Sequence, residues 1–179
     1  MRIIAGAFKG RKLAPPSDRL VRPTPDRVKE ALFSMLGTSV EDATVLDLFA
    51  GSGNLGLEAL SRGARKCYFG DNSRDSINLI RSNVAHCKAE PLSQIILGDY
   101  RNVLAQVRDQ LDIVFLDPPY RENLWMDAMA LLSEKKLMNP EGLIVIEHPK
   151  EIDFPQEIDI FRKIKERRYG TVVLSIYMC

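Results

Sequence analysis

Two stretches of this sequence combine residue types whose chemistry goes beyond packing. The first, Asp117-Pro118-Pro119-Tyr120, follows the apolar run Ile113-Val114-Phe115-Leu116. One proline would suffice to end a strand, since it donates no ladder hydrogen bond and fixes its own φ. Two prolines between an acid and an aromatic make a rigid shelf that holds a carboxylate, a carbonyl and a ring in fixed relation. The second stretch, Gly51-Ser52-Gly53-Asn54-Leu55-Gly56, comes directly after Asp47-Leu48-Phe49-Ala50. Its GxGxxG spacing is that of a strand-to-helix turn whose backbone approaches a nucleotide-bearing ligand. Asp71 closes the next apolar run 20 residues after Gly51, where a carboxylate can hold a ribose hydroxyl.

The glycine turn alone admits two ligands, a nicotinamide dinucleotide and S-adenosylmethionine. Electrostatics separates them. Asp47, Asp71, Asp99 and Asp117 are all expected at or near the carboxyl ends of strands. A carboxylate within a few ångströms of a pyrophosphate costs on the order of 1 kcal/mol in a wet cleft and about 4 kcal/mol at an intermediate dielectric. A sulfonium bearing an ammonium group is attracted instead. Asp99, in ILGDY, has a second reading as the N-cap of a helix starting at Tyr100 or Arg101.

A carboxylate and a proline carbonyl held side by side suit the methylation of an exocyclic amine. The lone pair of such an amine is delocalised into the base, so the nitrogen is a poor nucleophile. If Asp117 and the Pro118 carbonyl each accept one amino hydrogen, the lone pair turns toward an electrophilic methyl, and rigid acceptors settle the orientation in advance. Tyr120 would stack on the extruded base. This chemistry requires neither a metal nor a covalent nucleophile.

These groups need a scaffold, and the apolar pattern supplies one. Strands are expected at 44–49, 66–71, 93–98, 112–116 and 142–147, alternating with helices that begin near Leu55, Arg74, Arg101 and Leu124. Short, nearly continuous apolar strands between helices are the pattern of a parallel sheet covered on both faces. Two last strands, 160–166 and 171–178, are joined across Tyr169-Gly170 too tightly for a helical crossover and must form an antiparallel edge hairpin. The fold class is therefore α/β and Rossmann-like, mostly parallel. Residues 1–23 read as a small β-hairpin and a Pro-rich loop appended to a catalytic core over 24–179. Thr24 is the expected N-cap of a first helix, with Pro25 in its first position.

At 179 residues the chain has the length of about one domain. Cys67, Cys87 and Cys179 form no CxxC pair, so neither a disulfide framework nor a metal site is indicated. With no signal peptide and no apolar run near the roughly 18 residues of a membrane span, a cytoplasmic protein is expected. The net charge is only +1, yet residues 1–30 carry eight basic side chains against three acidic, and residues 161–179 carry five against one. Basic ends around an acidic centre suit a polyanion touching the ends and a cationic ligand in the middle.

DLFAGSGNLGLEALSRGA, Gly98-Asp99, DPPY at 117–120, the opening MRIIAGAFKGRKL and the stretch RPTPDRVKEALFSML together resemble the bacterial 16S rRNA guanine-N2 methyltransferase D family. The glycine motif and DPPY are shared by many amino-methylating enzymes, whereas RIIAG with RPT-x-DRV-x-E is far more specific. The resemblance implies a seven-stranded class I methyltransferase sheet with an N-terminal hairpin for RNA contact. It also implies transfer from S-adenosylmethionine to N2 of one guanine in 16S rRNA, within an assembled or partly assembled small subunit and with no obligate protein partner. Carried across, it assigns Asp47, Phe49, Gly51, Gly53, Asp71, Asp99 and Tyr100 to the cofactor. Asp117, Pro118, Pro119 and Tyr120 fall to the target base, and Arg2, Lys9, Arg11, Lys12, Arg22 and Thr24 to RNA. Asp71 stands where the family more often has glutamate. Competing expectations are an adenine-N6 methyltransferase on DNA or RNA, an NAD-dependent oxidoreductase and a non-catalytic RNA-binding module.

Overall fold

The computed structural model describes residues 1–16, 24–118 and 124–179. Five parallel strands form one side of the sheet: β1 (Thr44–Asp47), β2 (Lys66–Asp71), β3 (Ser93–Leu97), β4 (Leu111–Leu116) and β5 (Met138–Pro149). A two-residue β6 (Glu157–Ile158), β7 (Phe161–Tyr169) and β8 (Val172–Met178) complete it in the order 3-2-1-4-5-8-7-6. The expected antiparallel edge is present: β8 pairs with β5 and β7, and the short β6 joins the seven expected strands outside β7.

Helices α1 (Asp26–Leu36), α2 (Asn54–Ser61), α3 (Arg74–Cys87), α4 (Tyr100–Gln106) and α5 (Leu124–Glu134) separate the strands. Because strands covered on both faces must be apolar throughout, Val45 and Leu46 are both fully buried, one in each of two cores. One core holds Phe33, Phe69, Phe115 and Val145 under α1, α2 and α3; the other holds Leu116, Trp125 and Ile146 under α4 and α5. Among the described residues no helix is long and apolar enough to cross a membrane.

The chain winds from β1 to β2 and β3 on one side, then returns to β4 and β5 on the other. The order reverses between β1 and β4, and a doubly wound sheet opens its ligand crevice at the carboxyl ends of such a pair.

At the amino terminus the expected hairpin is a single antiparallel bridge, Arg2 to Lys12, with Ile3 and Leu13 buried in the first core. It is fastened to α2 by Ala7 N–H donating to the Ser61 carbonyl at 2.7 Å and by Ile4 and Ala5 N–H donating to Glu58 at 2.8 and 3.1 Å. A Cβ on Gly6 would lie 1.7 Å from the Ser61 carbonyl oxygen, so only glycine permits this approach. Thr24 is not the cap of α1: the helix begins at Asp26 behind Pro25 with no side-chain cap, because the Thr24 hydroxyl is engaged elsewhere.

Candidate active site

Asp47 ends β1 and stands in register with Phe69 of β2 and Phe115 of β4. Asp71 and Asp117 lie two residues beyond those partners, and alternate residues of a strand share a face. The sheet thus raises three carboxyl groups on the face covered by α1 to α3, with Asp47 set lower in the middle. Asp99 follows two residues after Leu97, the partner of Asp71, and extends the acidic row to β3.

The turn after β1 fits backbone to carboxylate at two points. Asp47, buried, accepts the Gly56 N–H at 2.9 Å, and Asp71 accepts the Gly51 N–H at 2.9 Å and the Ser73 N–H at 2.9 Å. Each carboxylate oxygen of Asp71 keeps a further lone pair for a hydroxyl. Gly51 and Gly53 have φ of 55° and 76°, which side chains other than glycine's adopt at a cost. Gly56 serves packing: a Cβ there would come within 2.3 Å of Phe69 Cε1.

Phe49 and Tyr100 face one another at the end of this crevice, ring centroids 6.4 Å apart. Tyr100 is buried, and its hydroxyl donates to Asp127 at 3.1 Å. Asp99 is the N-cap of α4, accepting the Asn102 N–H at 2.8 Å through Oδ1.

At the β4 end, Asp117 is half-buried and Pro118 buried. Leu116 is in register with Ile146 of β5, which sets Glu147 beside Asp117 on the same face. Glu147 accepts the Thr24 hydroxyl at 2.9 Å, so the segment leading into α1 is tied to the site. Burial, followed by the negative charges of Glu147 and Asp47, holds the Asp117 carboxyl well above the usual carboxylate range. Glu147 is raised by burial, against the Thr24 hydrogen bond, which lowers it. Asp47 is pushed up to about 7, chiefly by burial, with the Gly56 N–H opposing and Asp71 adding. Burial and like charge favour the neutral form of Asp47, Asp117 and Glu147, and a positive charge placed among them favours the ionised form.

Of the expected RNA contacts, Arg2, Lys9 and Lys12 are exposed; Arg2 pairs with Asp26 at 3.0 Å. Arg11 lies over the Phe8 ring and donates to the His86 carbonyl at 2.8 Å. Thr24 is buried against Glu147 rather than presented on this surface. Pro119, Tyr120 and Arg22 lie outside the described residues. His148 is built into the fold, its ring nitrogens meeting Ser175 Oγ at 2.9 Å and the Pro149 carbonyl at 3.0 Å. Glu147, which with His148 and Pro149 ends the fifth apolar run on the ligand side, stands at the site, two residues before the end of β5.

Comparison with known proteins gives the family and the fold. A family model described as conserved hypothetical protein 95 matches residues 1–178. Ribosomal RNA small subunit methyltransferase D of Haemophilus influenzae is 38% identical over 183 residues, spanning 99% of this chain and 93% of its own. The Escherichia coli K12 protein of the same name is 37% identical over 177 residues, spanning 99% and 89%. The chain belongs to the ribosomal RNA small subunit methyltransferase D family. Among solved structures, yhhF from Escherichia coli superposes with a TM-score of 0.89 at 36% identity, covering 99% of this chain and 97% of that one. An RNA methyltransferase from Salinibacter ruber in complex with S-adenosyl-L-homocysteine superposes at 0.68 with 14% identity, covering 88% and 93%, and so shares the fold. The methyltransferase D family sheet, a class I methyltransferase fold, is thus the scaffold on which the four acids stand.

Proposed function

We propose that this member of the methyltransferase D family transfers the methyl group of S-adenosylmethionine to the N2 amine of a guanine in 16S rRNA of the small ribosomal subunit. The observation that carries the reading is Asp117, set beside Glu147 and near Asp47 at the point where strand order reverses. The residues suit the cofactor: the crevice holds carboxylates where a sulfonium and an ammonium are wanted, and an open side at Gly51, where a Cβ would meet nothing within 4 Å. When bound, S-adenosylmethionine supplies a methyl on a positively charged sulfur and leaves as a neutral thioether.

The chain's own groups do the rest. Asp71 accepts from the ribose, and Asp47 holds the glycine turn through Gly56 while placing negative charge at its base. Asp117 and the Pro118 carbonyl accept the two amino hydrogens of the target base, which turns the nitrogen lone pair toward the methyl. Once the nitrogen carried the methyl, the proton it sheds would pass to Asp117 or to water. The exposed cations Lys9 and Lys12 hold the RNA backbone.

Guanine as the base is supported by the residues that resemble the family, since a carboxylate beside a proline carbonyl reads an amine and not a base; the names of the relatives support ribosomal RNA of the small subunit as the substrate. The test is transfer of labelled methyl to small subunits, bare 16S rRNA and DNA in parallel, followed by nucleoside identification. N2-methylguanosine in the RNA is the expected product, and N6-methyladenine in DNA would overturn the substrate reading while keeping the amine chemistry.

A further inference from the structure

The strongest charge the proposed reaction leaves unused lies on β7. Glu147 is in register with Leu174 of β8, and Leu174 with Arg167 of β7. With Leu116 opposite Ile146, this places Asp117, Glu147, Leu174 and Arg167 in one row across four adjacent strands. Strands lie about 4.8 Å apart, so the Arg167 backbone is roughly 14 Å from that of Asp117 along the row.

The face is the same throughout. Leu174 and Ile176 are buried in the core beneath α1 to α3, and their β7 partners, Arg167 and Lys165, share their side of the sheet. Arg162, opposite Met178, continues the series. Successive cations therefore stand opposite alternate residues of β8, about 7 Å apart along the strand. The order depends on a register shift between Lys163 and Lys165. Strict alternation from Arg162 would put Ile164, Glu166 and Arg168 on this face; the shift at Ile164 puts Lys165 and Arg167 there instead.

These three side chains carry uncompensated charge: among the described residues, Arg162, Lys165 and Arg167 form no ion pair. Glu166, the only acid on the strand, is on the opposite face, where it meets Lys163 at 2.6 Å and Ser175 at 3.2 Å. Charges also guard an open sheet edge against pairing with another chain, and β6 covers β7 only at Phe161 and Arg162. Edge protection works with either sign on either face. Here the charged side chains of β7 on the face that rises beside Asp117 are all cations.

We propose that Arg162, Lys165 and Arg167 form a second track for the RNA backbone, holding phosphates on the far side of the target base from the N-terminal segment. The inference rests on the RNA methyltransferase reading above. The N-terminal cations sit over α2 and α3, and the β7 row lies beyond β4, β5 and β8, so a strand drawn across the mouth of the site meets basic groups on both sides of Asp117.

The test reverses charge and keeps it at the edge: Lys165→Glu with Arg167→Glu, compared with Arg168→Glu on the opposite face. Binding of transcribed 16S rRNA is followed from low to moderate salt, with S-adenosylhomocysteine binding as the check on the fold. The double variant is expected to hold S-adenosylhomocysteine normally, to raise the RNA Kd and KM about tenfold, and to flatten the log Kd against log salt slope by about 1.5. Arg168→Glu is expected to do far less. Should the reversed pair be unstable, Lys165→Gln with Arg167→Gln is expected to flatten the slope in the same way. An unchanged RNA affinity and slope in a folded variant overturns the track, as does an equal effect from Arg168→Glu. If the wild-type protein neither binds 16S rRNA nor methylates it, the parent reading falls and the track with it; intact transfer with an unmoved KM removes the track alone.

Discussion

The Thr24 hydroxyl donates to Glu147 at 2.9 Å across 123 positions of sequence, and both residues are buried. This bond fastens the approach to α1 onto the strand beside Asp117. Thr24→Ala leaves a buried carboxyl without its donor and is expected to cost about 1–3 kcal/mol. In a Glu147→Ala background, where the hydroxyl has lost its acceptor, the same change is expected to cost much less. Urea midpoints in a double-mutant cycle measure the coupling, and strict additivity would contradict it.

Asp47 makes the ligand-free protein sensitive to pH. Its carboxyl is raised to about 7 in the fold, above the value of about 4 expected in the unfolded chain. Between those values the folded state binds the extra proton, so this group's contribution to stability falls as pH rises through that window. Asp47→Asn keeps an oxygen to accept the Gly56 N–H and removes the titration. The variant is expected to be more stable than wild type at pH 8 and to lose less stability from pH 4 to 7. Parallel curves of urea midpoint against pH would contradict this.

The N-terminal segment depends on a buried ion pair. Lys29 Nζ lies 3.2 Å from Glu58 and also donates to the Arg2 carbonyl and Asn54 at 2.6 Å each, while burial lowers its pKa. Glu58→Ala strands this ammonium and frees the Ile4 and Ala5 N–H groups, so a loss of about 3–5 kcal/mol is expected in urea unfolding. Glu58→Gln, which still offers an acceptor, is expected to lose less. A loss below about 1 kcal/mol for Glu58→Ala would show that the pair does not hold the segment.

How far the sequence speaks depends on the range of the interaction. β2 and the start of α3 fall where expected, since a doubly buried strand is a local apolar run and Ser73 caps α3 locally. β1 stops at Asp47 rather than at residue 49, and β5 begins at Met138 rather than 142. The glycine turn and its acids were legible because one ligand-binding turn fixes their spacing. The capping role expected for Thr24 failed because a distant acid, Glu147, takes its hydroxyl. Glu58 was passed over within the apolar stretch Leu55 to Leu60, where a lone acid among apolar residues was a sign of a partner; it is fully buried. The bulge at Ile164, which decides the face of every later β7 cation, has no local signature.

In the proposed reaction Asp117 acts on the amine and not on the cofactor. The most direct measurement compares wild type and Asp117→Ala for S-adenosylhomocysteine affinity and for transfer of labelled methyl to small ribosomal subunits, with the product nucleoside identified. Wild type is expected to yield N2-methylguanosine. The variant is expected to bind S-adenosylhomocysteine within a few-fold of wild type and to lose about 100-fold or more in transfer, the scale set by removing one oriented acceptor or donor in an active site. Full turnover by Asp117→Ala would contradict it.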